Sequence, residues 1–214
     1  MRTQAMSCVV AVALAGVAMP AFSQEKPAKG TVKPRGMDPQ TKAWMEAARP
    51  GPNHQLLNYC VGQWQTTVRH WMTPGQESEP GEGICVNEWV LGGRYVKTTY
   101  KGSFMNMPFE GLGYTGYDNV TRQFVSTWMD SMGTGIMQQT GTYDPAKKLF
   151  TYKSQMLQPT GELVRQIETI RIVDENRHVM TFYHQMPDAE KPVKVMEIVY
   201  SRIKKAQTPA APRK

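Results

Sequence analysis

Short runs of alternating apolar and polar residues dominate the chain from Gly62 to Lys204, and each run ends at a turn signal. The densest part extends from Phe109 to Asp144, where Asp118-Asn119 and Met132-Gly133 separate three such runs. A period of two residues predicts β-strands, and Asp, Asn, Gly and Pro between the runs predict tight turns. The predicted strands cover approximately residues 63–72, 83–91, 94–101, 109–117, 123–130, 135–143, 149–157, 162–173, 178–186 and 193–203.

No helical run interrupts this series, which excludes folds that alternate strands and helices. Consecutive antiparallel strands hide their edges by closing into a barrel or by stacking two sheets. Charged residues within the runs favour the barrel: Asp130 shares a strand face with Phe124 and Trp128, and Glu197 shares one with three valines. A dry sandwich core would not hold these carboxylates, whereas a barrel that encloses water and a ligand would. We therefore predict a mainly β fold, one antiparallel β-barrel of about eight to ten strands.

A short helical segment is predicted before the first strand. Asp38-Pro39 is an N-cap followed by proline at the first helical position, and the helix is expected to end by Arg49. A second short helix is expected from Asn53, with Gly62 ending it.

Both ends of the chain lie outside the predicted barrel domain, which covers residues 37–204. Arg2, the apolar run Val9–Met19 and the small-x-small site Ala21-Phe22-Ser23 predict a secretory signal peptide over residues 1–23. The run is shorter than the ~20 residues that span a bilayer, so no transmembrane segment is expected after its removal. Residues 24–36 and 205–214 are rich in Lys, Pro and Ala and are predicted to be a disordered linker and tail. We expect secretion, into a bacterial periplasm.

The charge of the chain is concentrated in these ends. The formal net charge is +7, but nine of the 25 basic residues and only one of the 18 acidic residues lie outside residues 37–203. The barrel domain is therefore near neutral, without a basic stripe, which excludes a nucleic-acid-binding protein.

Two cysteines, Cys60 and Cys85, follow the signal peptide, and an oxidising compartment would permit a disulfide between them. The hairpin expected between the first two predicted strands sets Cys85 opposite His70 and not opposite Cys60. Whether the two cysteines form a disulfide therefore stays open.

Two features resemble known families. Gly62-Gln63-Trp64 at the start of the first strand resembles the GxW signature of lipocalins and other calycins, in which a basic residue of the last strand packs over the Trp. Arg202 stands at that position and would pack over Trp64 by a cation–π interaction. Gly62, Trp64 and Arg202 are therefore expected to have a structural role. Residues 51–203, with segments such as "PGPNHQLLNYCVGQW" and "FEGLGYTGYDNVTRQFVSTWMDSMGTGI", resemble the family called domain of unknown function 1579. That resemblance implies a secreted, calycin-like barrel. It does not imply an activity, because none is established for the family.

Charged residues within strands are the candidate ligand-binding residues. Buried charges must pair or bind a polar group, so inward-facing charges would form a polar floor in the barrel. A structural Arg–carboxylate network, or outward-facing side chains, would explain them equally. The candidates, with the neighbouring tryptophan, are Arg94, Glu110, Trp128, Asp130, Arg171 and Glu197.

Other chemistry is less well supported by the sequence. Histidines and cysteines lack metal-ligand spacing, no nucleophile motif is present, and no cofactor or metal is predicted. An inward His70 or His184 would permit haem ligation, as in the calycin-like nitrobindins. Five nearby methionines suit either Cu(I) or an adaptable apolar lining, and we favour the lining. The scattered glycines are interpreted as strand bends and turns. The methionines are Met105, Met107, Met129, Met132 and Met137.

The predicted function is binding of a small apolar or amphipathic molecule inside the barrel. One alternative is an enzyme that acts on such a molecule, with Glu110 or Asp130 as acid or base. Another is a protein-interaction module that uses the outer sheet. The oligomeric state does not follow from the sequence.

Overall fold

The computed structural model describes residues 37–73, 75–105 and 107–204. The predicted signal peptide, linker and tail lie outside the described residues. Helix α1, Pro39–Ala47, begins at the expected N-cap, where Asp38 Oδ1 accepts a hydrogen bond of 3.0 Å from the Thr41 amide. Within the described part of the chain, no helix has the length and apolar character needed to cross a membrane.

The second helical segment is a short α-helix continued by a 3-10 helix. Helix α2 covers Pro52–Gln55, and the 3-10 helix covers Leu56–Cys60. The Leu57 side chain is fully buried. The 3-10 helix ends one residue before the first strand begins at Gly62, so its side chains lie at one end of the sheet.

Eleven strands follow in the described residues, and ten of them correspond to the predicted runs. They are β1 Gly62–Thr73, β2 Gln76–Glu77, β3 Gly81–Val90, β4 Tyr95–Phe104, β5 Met107–Asp118, β6 Gln123–Asp130, β7 Met137–Asp144, β8 Leu149–Leu157, β9 Leu163–Asp174, β10 Arg177–Gln185 and β11 Val193–Arg202. All pairings are antiparallel, and neighbours in space are neighbours in sequence from β3 to β11.

The sheet closes through β1, which pairs with β3 on one side and with β11 on the other. The β1–β11 register runs from Trp64 opposite Arg202 to His70 opposite Met196. Closure removes the free edges that a flat sheet would expose. The predicted single antiparallel, calycin-like barrel is confirmed, with ten strands in the barrel and β2 as an extra strand.

The predicted register of the first hairpin is wrong. Cys85 lies opposite Trp64, six residues from the expected His70. The physical reason is β2, which folds back from the connecting loop and pairs with the end of β1 at Trp71. That end of β1 is therefore unavailable to β3. Cys60 and Cys85 are both free thiols.

The two halves of the barrel differ in packing. In the half next to the 3-10 helix, Leu57 packs with inward-facing Val96, Phe124 and Phe150, which are at most 3% exposed. Tyr59 of the same helix stacks on Phe150, with ring centroids 5.2 Å apart. The 3-10 helix thus plugs this end, here called the closed end. The opposite end, reached by the connections β4–β5, β6–β7, β8–β9 and β10–β11, is called the open end.

Candidate functional site

Many inward-facing side chains in the open half are only half-buried although a closed sheet surrounds them, whereas Val68, Tyr100 and Val164 in the same half are buried. Cross-strand pairing from β1 around to β11 fixes which residues face inward, because directly paired residues share a face. The half-buried inward residues of this half include His70, Phe104, Phe109, Ser126, Trp128, Asp130, Met137, Ser154, Met156, His184 and Met196. Their residual exposure means that solvent enters the barrel from the open end. We call this enclosed space the lumen.

Trp128 and Asp130 form a fixed pair near the mouth of the lumen. Both face inward on β6, and Trp128 Nε1 donates a hydrogen bond of 2.9 Å to Asp130 Oδ2. The second carboxylate oxygen accepts the Met132 amide at 2.9 Å. These bonds hold the carboxylate at the last residue of β6, where the strand reaches the open end.

A row of polar side chains crosses the inner wall from β5 to β10. The Thr115 and Ser126 hydroxyls lie 3.2 Å apart, and Ser154 Oγ donates to Gln166 Oε1 at 3.4 Å. Ser126 pairs across the strands with Gln139, and Gln166 pairs with His184. Polar residues inside a barrel wall require hydrogen-bond partners, water or a ligand.

Glu168 lies beside this row, at the floor of the lumen. It faces inward on β9, opposite Tyr152 on one side and Phe182 on the other, and it is 5% exposed. Burial raises the pKa of Glu168 to about 7. Among the described residues, no Lys or Arg forms an ion pair with it.

Two neighbours of Glu168 have unused hydrogen-bonding capacity. Both amide atoms of Gln139 and the Tyr152 hydroxyl are buried without a hydrogen-bond partner among the described residues. An unpaired buried polar group costs about 1–3 kcal/mol of stability. A polar group of a ligand at this floor would therefore replace missing partners of the fold itself.

The structure does not bring the five predicted charges together. Glu110 lies on the outer face of β5 and pairs with Lys101 at 3.0 Å, with 66% of its side chain exposed. Glu197 lies on the outer face of β11 and pairs with Lys194 at 2.7 Å. Arg171 is exposed on the outer face of β9. The expected polar floor built from these residues is wrong, and so is an acid or base role of Glu110 inside the barrel.

Arg94 also lies outside the lumen. It sits in the turn between β3 and β4 at the closed end, where its Nε donates to the Ala48 carbonyl at 3.0 Å. A second donor of the guanidinium reaches the Leu91 carbonyl at 3.0 Å. The side chain thus ties the end of α1 to the barrel. Of the predicted set, Trp128 and Asp130 face the lumen, and their role in ligand binding stays a prediction.

The face of each strand explains these differences. In β11, Val199 shares the outer face with Glu197, but the inward face carries Met196, Ile198 and Tyr200. Both faces are apolar, so alternation alone does not choose between them. In β9 the inward face carries Val164, Gln166, Glu168, Ile170 and Ile172. A carboxylate among aliphatic residues at a period of two was the available signal for Glu168.

Gly62, Trp64 and Arg202 meet at the closed end. The Arg202 guanidinium carbon lies 4.0 Å from the centre of the Trp64 ring. Its nitrogens donate to the carbonyls of Val61 at 2.7 Å and Tyr59 at 3.0 Å. Gly62 has φ of 123°, and a Cβ there would lie 2.7 Å from the guanidinium. These three residues fasten the plug rather than line the lumen.

The histidines occupy separate places in the barrel. His70 and His184 face the lumen, and burial lowers the pKa of each imidazole. His178 is enclosed by Trp64, Tyr59 and Tyr200 at the closed end. No three His, Cys, Asp or Glu side chains in the described ranges are grouped as metal ligands would be.

Comparisons with known proteins identify a family and one solved structure that shares the fold. A sequence profile of the family described as "Protein of unknown function (DUF1579)" matches residues 49–202. No curated relative matches the sequence. The S-type phycobiliprotein lyase CPES from Guillardia theta superposes with a TM-score of 0.50 and 10% identity, covering 76% of this chain and 98% of that one. At this identity the similarity shows a shared fold alone.

Two further solved structures match with lower scores. The protein EF1p2_mFAP2b bound to DFHBI has a TM-score of 0.36 and 9% identity, covering 70% of this chain and 98% of that one. The redesigned beta barrel b11L5F_LGL has a TM-score of 0.35 and 10% identity, with coverages of 69% and 94%.

Proposed function

The chain belongs to the DUF1579 family of proteins of unknown function, and we propose that it binds a small amphipathic molecule in the lumen. The observation that carries this proposal is the partial exposure of inward-facing apolar side chains in the open half. A side-chain-filled barrel would bury them, as the closed half buries Val96 and Phe150. Small barrels with an open interior hold ligands there.

The lining has the composition of a ligand site. Apolar and aromatic groups such as Phe109, Met137 and Met196 provide surface, while a few polar groups lie at defined depths. Small-molecule sites combine these two features. Methionine side chains adapt to ligands of different shape, which favours the lining role over a Cu(I) site for the inward-facing Met107 and Met137. The mouth is the route of entry, because the plug occupies the other end.

Filling the lumen should abolish binding. We expect an environment-sensitive apolar dye to bind the wild-type protein with a stoichiometry near one and to quench Trp128. Met137→Trp adds a bulky ring directly across from Trp128, because Met137 pairs with it between β6 and β7. Dye affinity, measured by fluorescence titration, should fall at least about ten-fold, or 1.4 kcal/mol.

The matched control is Gln138→Trp, the next residue of β7. Gln138 is exposed on the outer face, so the same added ring lies outside the lumen. This variant should bind the dye as the wild type does. Circular dichroism of both variants checks the fold. If folded Met137→Trp binds the dye with wild-type affinity, the ligand does not occupy the lumen.

A further inference from the structure

Within the lumen, the charged side chains on the inner wall of the barrel are both acidic. Asp130 lies at the mouth and Glu168 at the floor, on the order of 15 Å along a strand from the open end. Among the described strand residues, Arg202 is the one Lys or Arg on the inward face. Arg202 lies at the closed end, where backbone carbonyls and the Trp64 ring already engage its guanidinium. A ligand in the lumen therefore meets two carboxyl groups and no free cation from these strands.

The groups around Glu168 leave its carboxyl without a counter-charge. The titratable side chains that face it are Tyr152 from β8, Tyr200 from β11 and Tyr59 from the 3-10 helix. Burial raises the pKa of each of these phenols well above its ordinary value, so all three are neutral. A buried carboxylate is costly unless it is paired or protonated.

The rest of the lining suits a cation with an apolar body. Trp128 and Phe109 present aromatic rings between the mouth and the floor, and rings attract ammonium groups. The unpaired Gln139 carbonyl oxygen and Tyr152 hydroxyl can accept hydrogen bonds from an ammonium group that reaches Glu168. A carboxylate ligand would instead face Glu168 and Asp130 with like charge.

We infer that the lumen selects an amphipathic organic cation, a molecule with a protonated amine and an apolar body, and that its ammonium group binds at Glu168. The inference rests on the proposed function, since it names the chemical class of the ligand for the same lumen. Above the pKa of Glu168, fatty-acid anions are disfavoured by the same charges. Neutral amphiphiles of equal length bind with intermediate affinity.

Three probes of equal chain length test this selection: n-octylammonium, 1-octanol and octanoate. Their affinities for the full protein are compared by displacement of the apolar dye at pH 8, above the pKa of about 7 of the Glu168 carboxyl. We expect octylammonium to bind at least about ten-fold more tightly than octanoate, with octanol between them. Octanoate binding as tightly as octylammonium would overturn the inference.

Two variants, each replacing one carboxyl group by an amide, test whether Glu168 is the residue that selects the ammonium ligand. Glu168→Gln should lower octylammonium affinity about ten-fold and leave octanol affinity within about two-fold. Glu110→Gln makes the same chemical change on the outer face and should change neither. Selection that persists unchanged in Glu168→Gln would contradict the assignment to Glu168.

Proton release gives a readout on the wild-type protein. Because burial raises the pKa of Glu168 to about 7, the carboxyl is largely protonated at pH 6. An ammonium group at Glu168 lowers that pKa, so octylammonium binding should release up to about one proton. Calorimetry in buffers of different ionisation enthalpy measures this number, which should be near zero for octanol and for Glu168→Gln. No release with octylammonium would contradict the contact.

The outcomes separate the two proposals. If the dye and octanol bind but charge makes no difference, the cation inference fails and the lumen still binds an apolar ligand. If neither the dye nor any of the three probes binds the folded protein, the proposed function itself fails.

Discussion

At the scale of single residues, glycines within strands decide where large rings lie in the barrel. A Cβ at any of four such glycines would come closer than 3.0 Å to an inward-facing aromatic side chain on a neighbouring strand. Each ring therefore lies flat against the barrel wall instead of filling the interior. Gly111 and Gly113, interpreted from the sequence among strand bends and turns, both lie within β5. The pairs are Gly111 and Gly113 with Trp128, Gly83 with Tyr100, and Gly141 with Tyr152.

Ionisation of the buried Glu168 carboxyl should lower the free energy of unfolding of the protein as the pH rises. Burial raises its pKa to about 7 in the folded protein from an ordinary 4.5, so the folded state binds the proton more tightly than the unfolded chain. The stabilisation of the protonated form is complete below pH 4.5 and is lost as the pH passes through about 7. Between pH 4.5 and 8, the free energy of unfolding of Glu168→Gln should rise by about 3 kcal/mol relative to wild type.

Urea denaturation of both proteins at these two pH values measures the change. Burial lowers the pKa of His178 to about 3, which acts in the opposite direction at acid pH. Both proteins keep His178, so its effect cancels in the comparison. Glu110→Gln is the control, and its difference from wild type should stay within about 1 kcal/mol at both pH values. A constant difference for Glu168→Gln would show that its carboxyl is not perturbed by burial.

At the scale of elements, the 3-10 helix divides the barrel into a packed half and an open half. Leu57 and Tyr59 of this helix fill the closed end. Arg202 of β11 donates hydrogen bonds to the backbone carbonyls of Tyr59 and Val61. Trp64 Nε1 and the Asn87 amide both donate to the Cys60 carbonyl, at 2.6 and 2.8 Å. The end of the helix is thus fixed by the barrel wall.

Arg202→Ala should loosen the plug. The substitution removes three hydrogen bonds to backbone carbonyls, of Tyr59, Val61 and Glu175, and should cost about 3 kcal/mol of stability. Amide hydrogen exchange of residues 56–61 should become faster. Arg171→Ala removes an exposed arginine from the outer face of β9 and should leave this exchange unchanged. Equal protection in the two variants would mean that Arg202 does not hold the helix.

At the scale of the whole molecule, closure by β1 and β11 accounts for both stability and the lumen. Each of the ten barrel strands pairs on both sides, so no long edge is left for association with another sheet. The near-neutral barrel and the proposed secretion are consistent with a protein that holds a small ligand outside the cytoplasm. Secretion rests on residues 1–23, which lie outside the described part of the chain.

The mature protein should begin at Gln24. Expressed from its full sequence in a bacterial host, it should be recovered from the periplasm with this amino terminus, as determined by mass spectrometry. Ser23→Tyr should block cleavage because the site needs small residues, whereas Phe22→Tyr changes the tolerant middle position and should be processed normally. Cytoplasmic protein that retains Met1 would contradict the prediction.

The sequence by itself determined the elements and the type of fold. Strand positions follow from a period of two residues and from turn residues such as Asp118-Asn119, which are local properties. The helix start at Asp38-Pro39 is equally local. The pairing of Trp64 with Arg202 followed from a family signature that fixes both ends of the closed sheet.

Only the tertiary structure decided which groups share the lumen. The β1–β3 register depends on β2 folding back onto Trp71, and no local pattern contains that pairing. The inward faces of β9 and β11 depend on cross-strand register, since a shift of one residue exchanges Glu168 for Ile167 or Met196 for Glu197. Alternation tells which residues lie together on a strand, but closure of the barrel decides which of the two faces is inside.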